Sequence, residues 1–133
     1  MSLYLHGRVG PYRLLLPAAR VLEVWPHRAG ADPAQWRRRS LAAYDLRGLM
    51  GVRPGPDAAH VAYGATPEDP AAAVLTLDEI MGLVTLAPDA LAALPAVSSR
   101  TADIFDAVTR APLGARHGLR LKVQPNFAGA TVS

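Results

Sequence analysis

Short runs of strand-forming residues alternate with turn signals along this chain. Residues 3–6 (LYLH) make one run, Gly7 to Pro11 supply two glycines and a proline, and residues 12–16 (YRLLL) make the next, closed by Pro17. That order predicts a β-hairpin with a loop of a few residues. Residues 18–22 fit either a helical turn or the start of a strand. Val21, Leu22, Val24 and Trp25 favour the strand, and Pro26 ends it. Residues 26–35, rich in Pro, Gly, Ala and Asp, read as a loop. Residues 36–44 can extend as a strand, and Asp45 can then cap a short helix that Gly51 stops. Further strands are expected at 60–63, 72–77, 80–86, 104–108 and 119–123, with one helical turn within 87–95 and a turn at 112–118. Roughly eight short strands at spacings of about ten residues argue an all-β antiparallel barrel or sandwich.

Composition fits a packed domain. With 133 residues, 50% hydrophobic and 19% charged, the chain has the length of one domain and enough apolar volume for a core. The expected division is a single domain over residues 1–125 and a frayed tail over 126–133. No stretch approaches the ~20 apolar residues needed to span a bilayer, and the first residues lack a basic segment followed by an apolar run. We therefore expect a cytoplasmic protein without membrane insertion. The absence of cysteine excludes disulfides, thiolate nucleophiles and Cys-rich zinc sites. Lys122 is the only lysine, and with abundant Ala, Gly, Pro and Arg the high pI reads as compositional bias rather than as a nucleic-acid signature.

No motif for catalysis emerges. His6, His27, His60 and His117 are isolated in sequence and are expected at the surface, without metal-ligand spacing. No serine lies in G-x-S-x-G, and neither G-x-G-x-x-G nor a phosphate-binding P-loop is present. The acidic pairs Glu68-Asp69 and Asp78-Glu79 fall in predicted turns and are expected to be solvated. The chain is therefore expected to be no enzyme and to bind neither cofactor nor metal. The sharpest polar feature is Arg37-Arg38-Arg39 after Trp36. In a strand these arginines would alternate faces. They read either as a solvated surface cluster or as a protein contact, the latter because Arg and Trp are enriched at interface hot spots. The alternative is a small β-barrel nucleic-acid module, with phosphates on the arginines and a base on Trp36.

The order of elements resembles the CheW-like family of chemotaxis adaptors over nearly the full length. Residues 4–7 and 12–17 resemble its first two strands, and Val21-Leu22-Glu23-Val24 resembles its V-x-E-[IV] strand. Residues 44–51 (YDLRGLMG) are similar to its V-D-L-R-x-x-[FL]-G, the most specific match. Residues 75–84 (LTLDEIMGLV) resemble its L-x-V-D-x-V-x-G-V-V hairpin, with Leu94-Pro95 following at a familiar distance. The resemblance implies two intertwined five-stranded SH3-like barrels and no catalytic residue. It also implies two partners: the regulatory domain of a CheA-type sensor histidine kinase and the cytoplasmic tip of a chemoreceptor. By position, Glu23 matches the family's strand glutamate and Arg37 the arginine of its N-L-R-G motif, which here reads Gln35-Trp36-Arg37-Arg38. The expected partner-binding residues are Glu23, Val24, Trp36, Arg37 and Arg38.

Overall fold

The computed structural model describes residues 1–94 and 99–127. The expected hairpin is there: β1 (Ser2–Val9) pairs antiparallel with β2 (Tyr12–Pro17) up to Val9 opposite Tyr12, leaving Gly10 and Pro11 as the turn. The glycine is needed, because Gly10 has φ +54° and a Cβ there would run into Val52. The ambiguous residues 18–22 divide into a 3₁₀ turn, Ala18–Arg20, and the start of β3 (Val21–Pro26).

Residues 36–44 do not extend as one strand. They form a ribbon of β4 (Gln35–Trp36) and β5 (Arg39–Ser40), followed by β6 (Ala42–Asp45). Asp45 caps the short helix α1 (Leu46–Leu49), its carboxylate accepting the Arg47 N–H at 3.0 Å, and Gly51 turns the chain away with φ +68°. The remaining elements are β7 (Ala59–Tyr63), β8 (Ala73–Leu77), β9 (Glu79–Leu86), a 3₁₀ turn at Pro88–Ala90, β10 (Leu91–Ala93), α2 (Ser99–Ile104), β11 (Phe105–Thr109) and β12 (Gly118–Leu121).

The strands form a six-stranded sheet, β10-β11-β12-β2-β1-β9, a four-stranded sheet, β3-β7-β8-β6, and the β4-β5 ribbon. The all-β expectation holds, with open sheets of six and four strands standing where two closed five-stranded barrels were implied. Residues 75–84 are not a hairpin either. β8 pairs with β6 and β7, whereas β9 pairs with β1, so the chain changes sheet at Asp78.

Every residue of β7 and β8 is buried, because both strands are central in their sheet and each face of that sheet carries a core. Val61, Tyr63, Ala73, Leu75 and Leu77 face the main core with Leu5, Val9, Leu14 and Leu16 of the β1–β2 hairpin. The intervening residues Ala62, Ala72 and Val74 face a smaller second core, closed by Trp36 and Leu41 and flanked by Leu22 and Trp25. Period-two alternation thus feeds two cores from one sheet. The ribbon exists because Trp36, only 5% exposed, is the lid of the second core.

Packing continues past residue 125. The Asn126 N–H donates to Asp103 O at 2.9 Å, and Phe127 stacks on Tyr44 at 4.3 Å between centroids. The remainder of the expected tail, residues 128–133, and Pro95 of the Leu94-Pro95 match lie outside the described residues. Among the described residues, no helix is long and apolar enough to cross a membrane.

Candidate functional site

The fold gathers three of the five residues expected to meet a partner. Glu23 stands on β3, and Trp36 and Arg37 reach it from the ribbon. The Trp36 indole N–H donates to Glu23 Oε1 at 3.2 Å, and Arg37 Nε lies 3.8 Å from the same oxygen. The Arg37 guanidinium also lies over the Trp36 ring, 4.8 Å from its centroid. Arg37 and Glu23 are about half exposed, so their ion pair adds little to stability and serves mainly to orient the two side chains. Val24, next along β3, is 38% exposed. Arg38 is exposed at the ribbon's tip and has no hydrogen bond or ion pair among the described residues.

Two expectations change here. Trp36 is a buried support beneath Arg37, not a surface ring free to stack on a base or a partner. The three arginines do not alternate along a strand. Arg37 (φ +48°) and Arg38 (φ +63°) form the two-residue turn between Trp36 and Arg39. Arg39 folds back onto the carbonyls of Pro67 and Asp69. The cluster therefore offers one pinned, one free and one internally bonded guanidinium.

Beside the ribbon, a cleft of about 270 Å³ is lined by Glu23, Asp32, Trp36 and Arg37 together with His27 and His60. The same two histidines also line a second cleft, of about 330 Å³. The histidines are not isolated. His27 Nδ1 lies 2.9 Å from His60 Nε2, and His60 Nδ1 lies 2.8 Å from Thr76 Oγ1. His60 is buried at 3% exposure against the Trp25 ring. Burial first, then His27 and Arg47, lower its pKa and hold it neutral. Hydroxyl, imidazole and imidazole in line resemble a relay, but Thr76 is buried within β8 and the chain ends on a second imidazole rather than a carboxylate. Its evident work is to tie β7 to β8 and to the loop after β3. Among the described residues, no group of three metal-binding side chains comes together.

Asp78 is the other correction. The acidic pair 78–79 was expected in solvent, yet Asp78 is only 4% exposed. Its carboxylate accepts the Gly10 N–H at 2.7 Å and the Gly55 N–H at 3.1 Å, and Arg47 Nη1 approaches at 3.4 Å. Arg47 grips Asp45 with two bonds of 2.9 Å. Burial works to raise the Asp78 pKa, but the Gly10 and Gly55 N–H groups and Arg47 outweigh it and hold the carboxyl below its ordinary value. This network pins the β1–β2 turn, the helix α1 and the change of sheet to one another. The sequence did carry a signal for it, since Asp45, Arg47 and Asp78 all lie in the two segments that most resemble the family motifs.

No protein-family model and no curated protein matches this sequence. Among solved structures, the chain is similar to the scaffolding protein TtCheW from Thermoanaerobacter tengcongensis, with a TM-score of 0.72 and 11% sequence identity over 98% of this chain and 93% of that one. At that identity the likeness shows the fold, and the fold is CheW-like.

Proposed function

We propose that this chain is a non-enzymatic adaptor of a chemotaxis-like signalling system. In this reading it works in the cytoplasm and holds a chemoreceptor-type protein to the regulatory domain of a CheA-type histidine kinase. The observation that carries the proposal is the correspondence, over nearly the whole of both chains, with a protein known as a scaffold. The ribbon supports it. Glu23 and Arg37, set by Trp36 and flanked by Val24 and Arg38, form an exposed polar surface whose internal pairing contributes little to the fold. The nucleic-acid alternative has less to work with. Arg37 is held by Glu23 and Arg39 by backbone carbonyls, which leaves Arg38 alone of the three to meet a phosphate.

The test is binding of the purified protein to the kinase regulatory domain and to the receptor tip from the same organism. Arg37→Glu places two carboxylates side by side on the surface. It should weaken one partner by about tenfold or more while the unfolding midpoint stays within a few degrees of wild type. Binding of neither partner by the wild-type protein would refute the adaptor reading. Equal binding by wild type and Arg37→Glu would remove Arg37 from the interface.

A further inference from the structure

The ribbon's tip carries a conformational cost that only one of its two residues recovers inside the chain. Arg37 and Arg38 both adopt the left-handed conformation, in which the Cβ of an L-residue crowds its own backbone. Two-residue turns of this kind favour Asn-Gly or Gly-Gly. Nothing lets the turn relax. Trp36 on one side is locked into the second core, and Arg39 on the other is bonded to Pro67 and Asp69. Arg37 is compensated, because the same geometry sets its guanidinium over the Trp36 ring and against Glu23. Arg38 has no such return. Its side chain is exposed and makes no hydrogen bond or ion pair among the described residues. A glycine would fit this position without strain. Uncompensated strain joined to a free charge at an exposed tip is the mark of a residue kept for something outside the chain.

We propose that Arg38 is the anchor through which the ribbon's tip engages an exposed carboxylate on a protein partner. The identity of that partner rests on the adaptor reading; the chemistry of the contact does not. A guanidinium presents its N–H groups as a fork that matches a carboxylate with two parallel bonds. A phosphate backbone fits less well. It is a continuous line of charge that needs a row of cations, and Glu23 and Asp32 stand in the cleft beside the tip, where they would repel it. Arg38 is exposed and does not line that cleft, so a single acidic side chain can meet it at the tip.

The experiment uses protein labelled for observation of the arginine Nε–H signals, titrated with poly-L-glutamate and, separately, with a 20-base-pair DNA duplex at the same salt concentration. Wild type is compared with Arg38→Gly and Arg38→Lys. With polyglutamate, the Arg38 signal should move first and furthest, ahead of the exposed Arg53 and Arg116. Arg38→Lys should lose part of the affinity and Arg38→Gly most of it. Arg38→Gly should also melt about 3 °C higher than wild type, because the strain is relieved. In a second arm, Arg38→Gly should bind the kinase domain or the receptor tip roughly tenfold more weakly than wild type. An Arg38 response no greater than those of Arg53 and Arg116 overturns the proposal, as does tighter, Arg38-dependent binding of the duplex. A melting point lowered by Arg38→Gly overturns the strain argument on which it stands. Specific binding of polyglutamate at Arg38 by a protein that takes neither kinase nor receptor upholds this inference and refutes the adaptor reading instead.

Discussion

Replacing Arg47 by Met tests whether the fold depends on its buried charge network. Met keeps much of the side-chain volume and removes the charge. Arg47 is 8% exposed and Asp78 4%, so water cannot readily take over the lost bonds. The change deletes both 2.9 Å bonds to Asp45 and the 3.4 Å contacts to Asp78 and to the Asp57 carbonyl. Asp78 keeps its two backbone donors, but of its two cations it then retains only Arg8, a third exposed and 3.8 Å away, in place of the buried guanidinium. Breaking a buried pair in this way costs about 3–5 kcal/mol. For a domain of this size, with total stability of roughly 5–15 kcal/mol, that is a midpoint loss on the order of 10 °C. Urea unfolding at neutral pH measures it, provided the slope stays constant.

Asp78→Asn sharpens the test. Alone it puts an amide where the carboxylate accepts the Gly10 and Gly55 N–H groups, so one donor loses its acceptor. In the double variant with Arg47→Met no unpaired charge remains at position 78. The combined loss should therefore fall short of the sum of the single losses by about 1–3 kcal/mol. Arg47→Met costing less than about 1 kcal/mol, with strict additivity in the double variant, would refute the view that these residues act as one network. Acid provides an independent handle. The folded-state pKa of Asp78 lies below its unfolded value, so its contribution is present at neutral pH and is lost as pH falls below about 4. Asp78→Asn should flatten that part of the stability profile.

Two further predictions concern titrating groups elsewhere in the fold. Burial lowers the pKa of both His60 and His6, with His27 and Arg47 adding to the effect at His60 and Arg13 at His6. The neutral imidazoles therefore support the fold above roughly pH 6.5, and that support is lost as pH falls below it. Stability measured between pH 7 and 5 should decline in wild type, less so in His60→Gln, and least when His6→Gln is added. A decline of the same slope in all three would show that other groups cause it. Tyr63→Phe removes the 2.8 Å bond from the phenol to the Lys122 carbonyl and should cost about 1 kcal/mol in urea unfolding. Burial raises the Tyr63 pKa above its ordinary value, so wild type should also lose stability above about pH 10 and the variant should lose less.

What the sequence revealed and what it hid divide along a physical line. The β1–β2 hairpin and the Asp45 cap were legible because their determinants are local: the glycines and proline of Gly7 to Pro11 between two strand-forming runs, and an N-cap side chain reaching the N–H two residues on. The change of sheet at Asp78 was not legible. An acidic pair between two apolar runs looks the same whether the strands pair with each other or part, and the donors that bury Asp78 come from Gly10 and Gly55, 68 and 23 residues away. His27 and His60 meet across 33 residues for the same reason. The Arg37–Arg38 turn was hidden more deeply, since arginine has no leaning toward left-handed backbone. The turn is imposed from outside, by the burial of Trp36 in the second core at one end and by the bonds of Arg39 to Pro67 and Asp69 at the other.

The division also bears on what an 11% likeness can transmit. The fold asks little of residue identity: alternation that feeds two cores from one sheet, a lid for the second, and a polar stitch where the chain changes sheet. Many side chains meet those demands, which is why the architecture can persist when few residues match. Glu23 serves the lid by accepting the Trp36 indole N–H, whereas the Arg37 and Arg38 guanidiniums answer to none of them. The half-exposed pair adds little to folding, and Arg38 subtracts from it. Stability gives Glu23 its bond to Trp36, but it gives Arg38 nothing and would favour a glycine at the tip. On the adaptor reading we propose, side chains that the fold does not use are the ones to test against a partner. The ribbon, rather than the sheets beneath it, is therefore where that proposal meets its sharpest test.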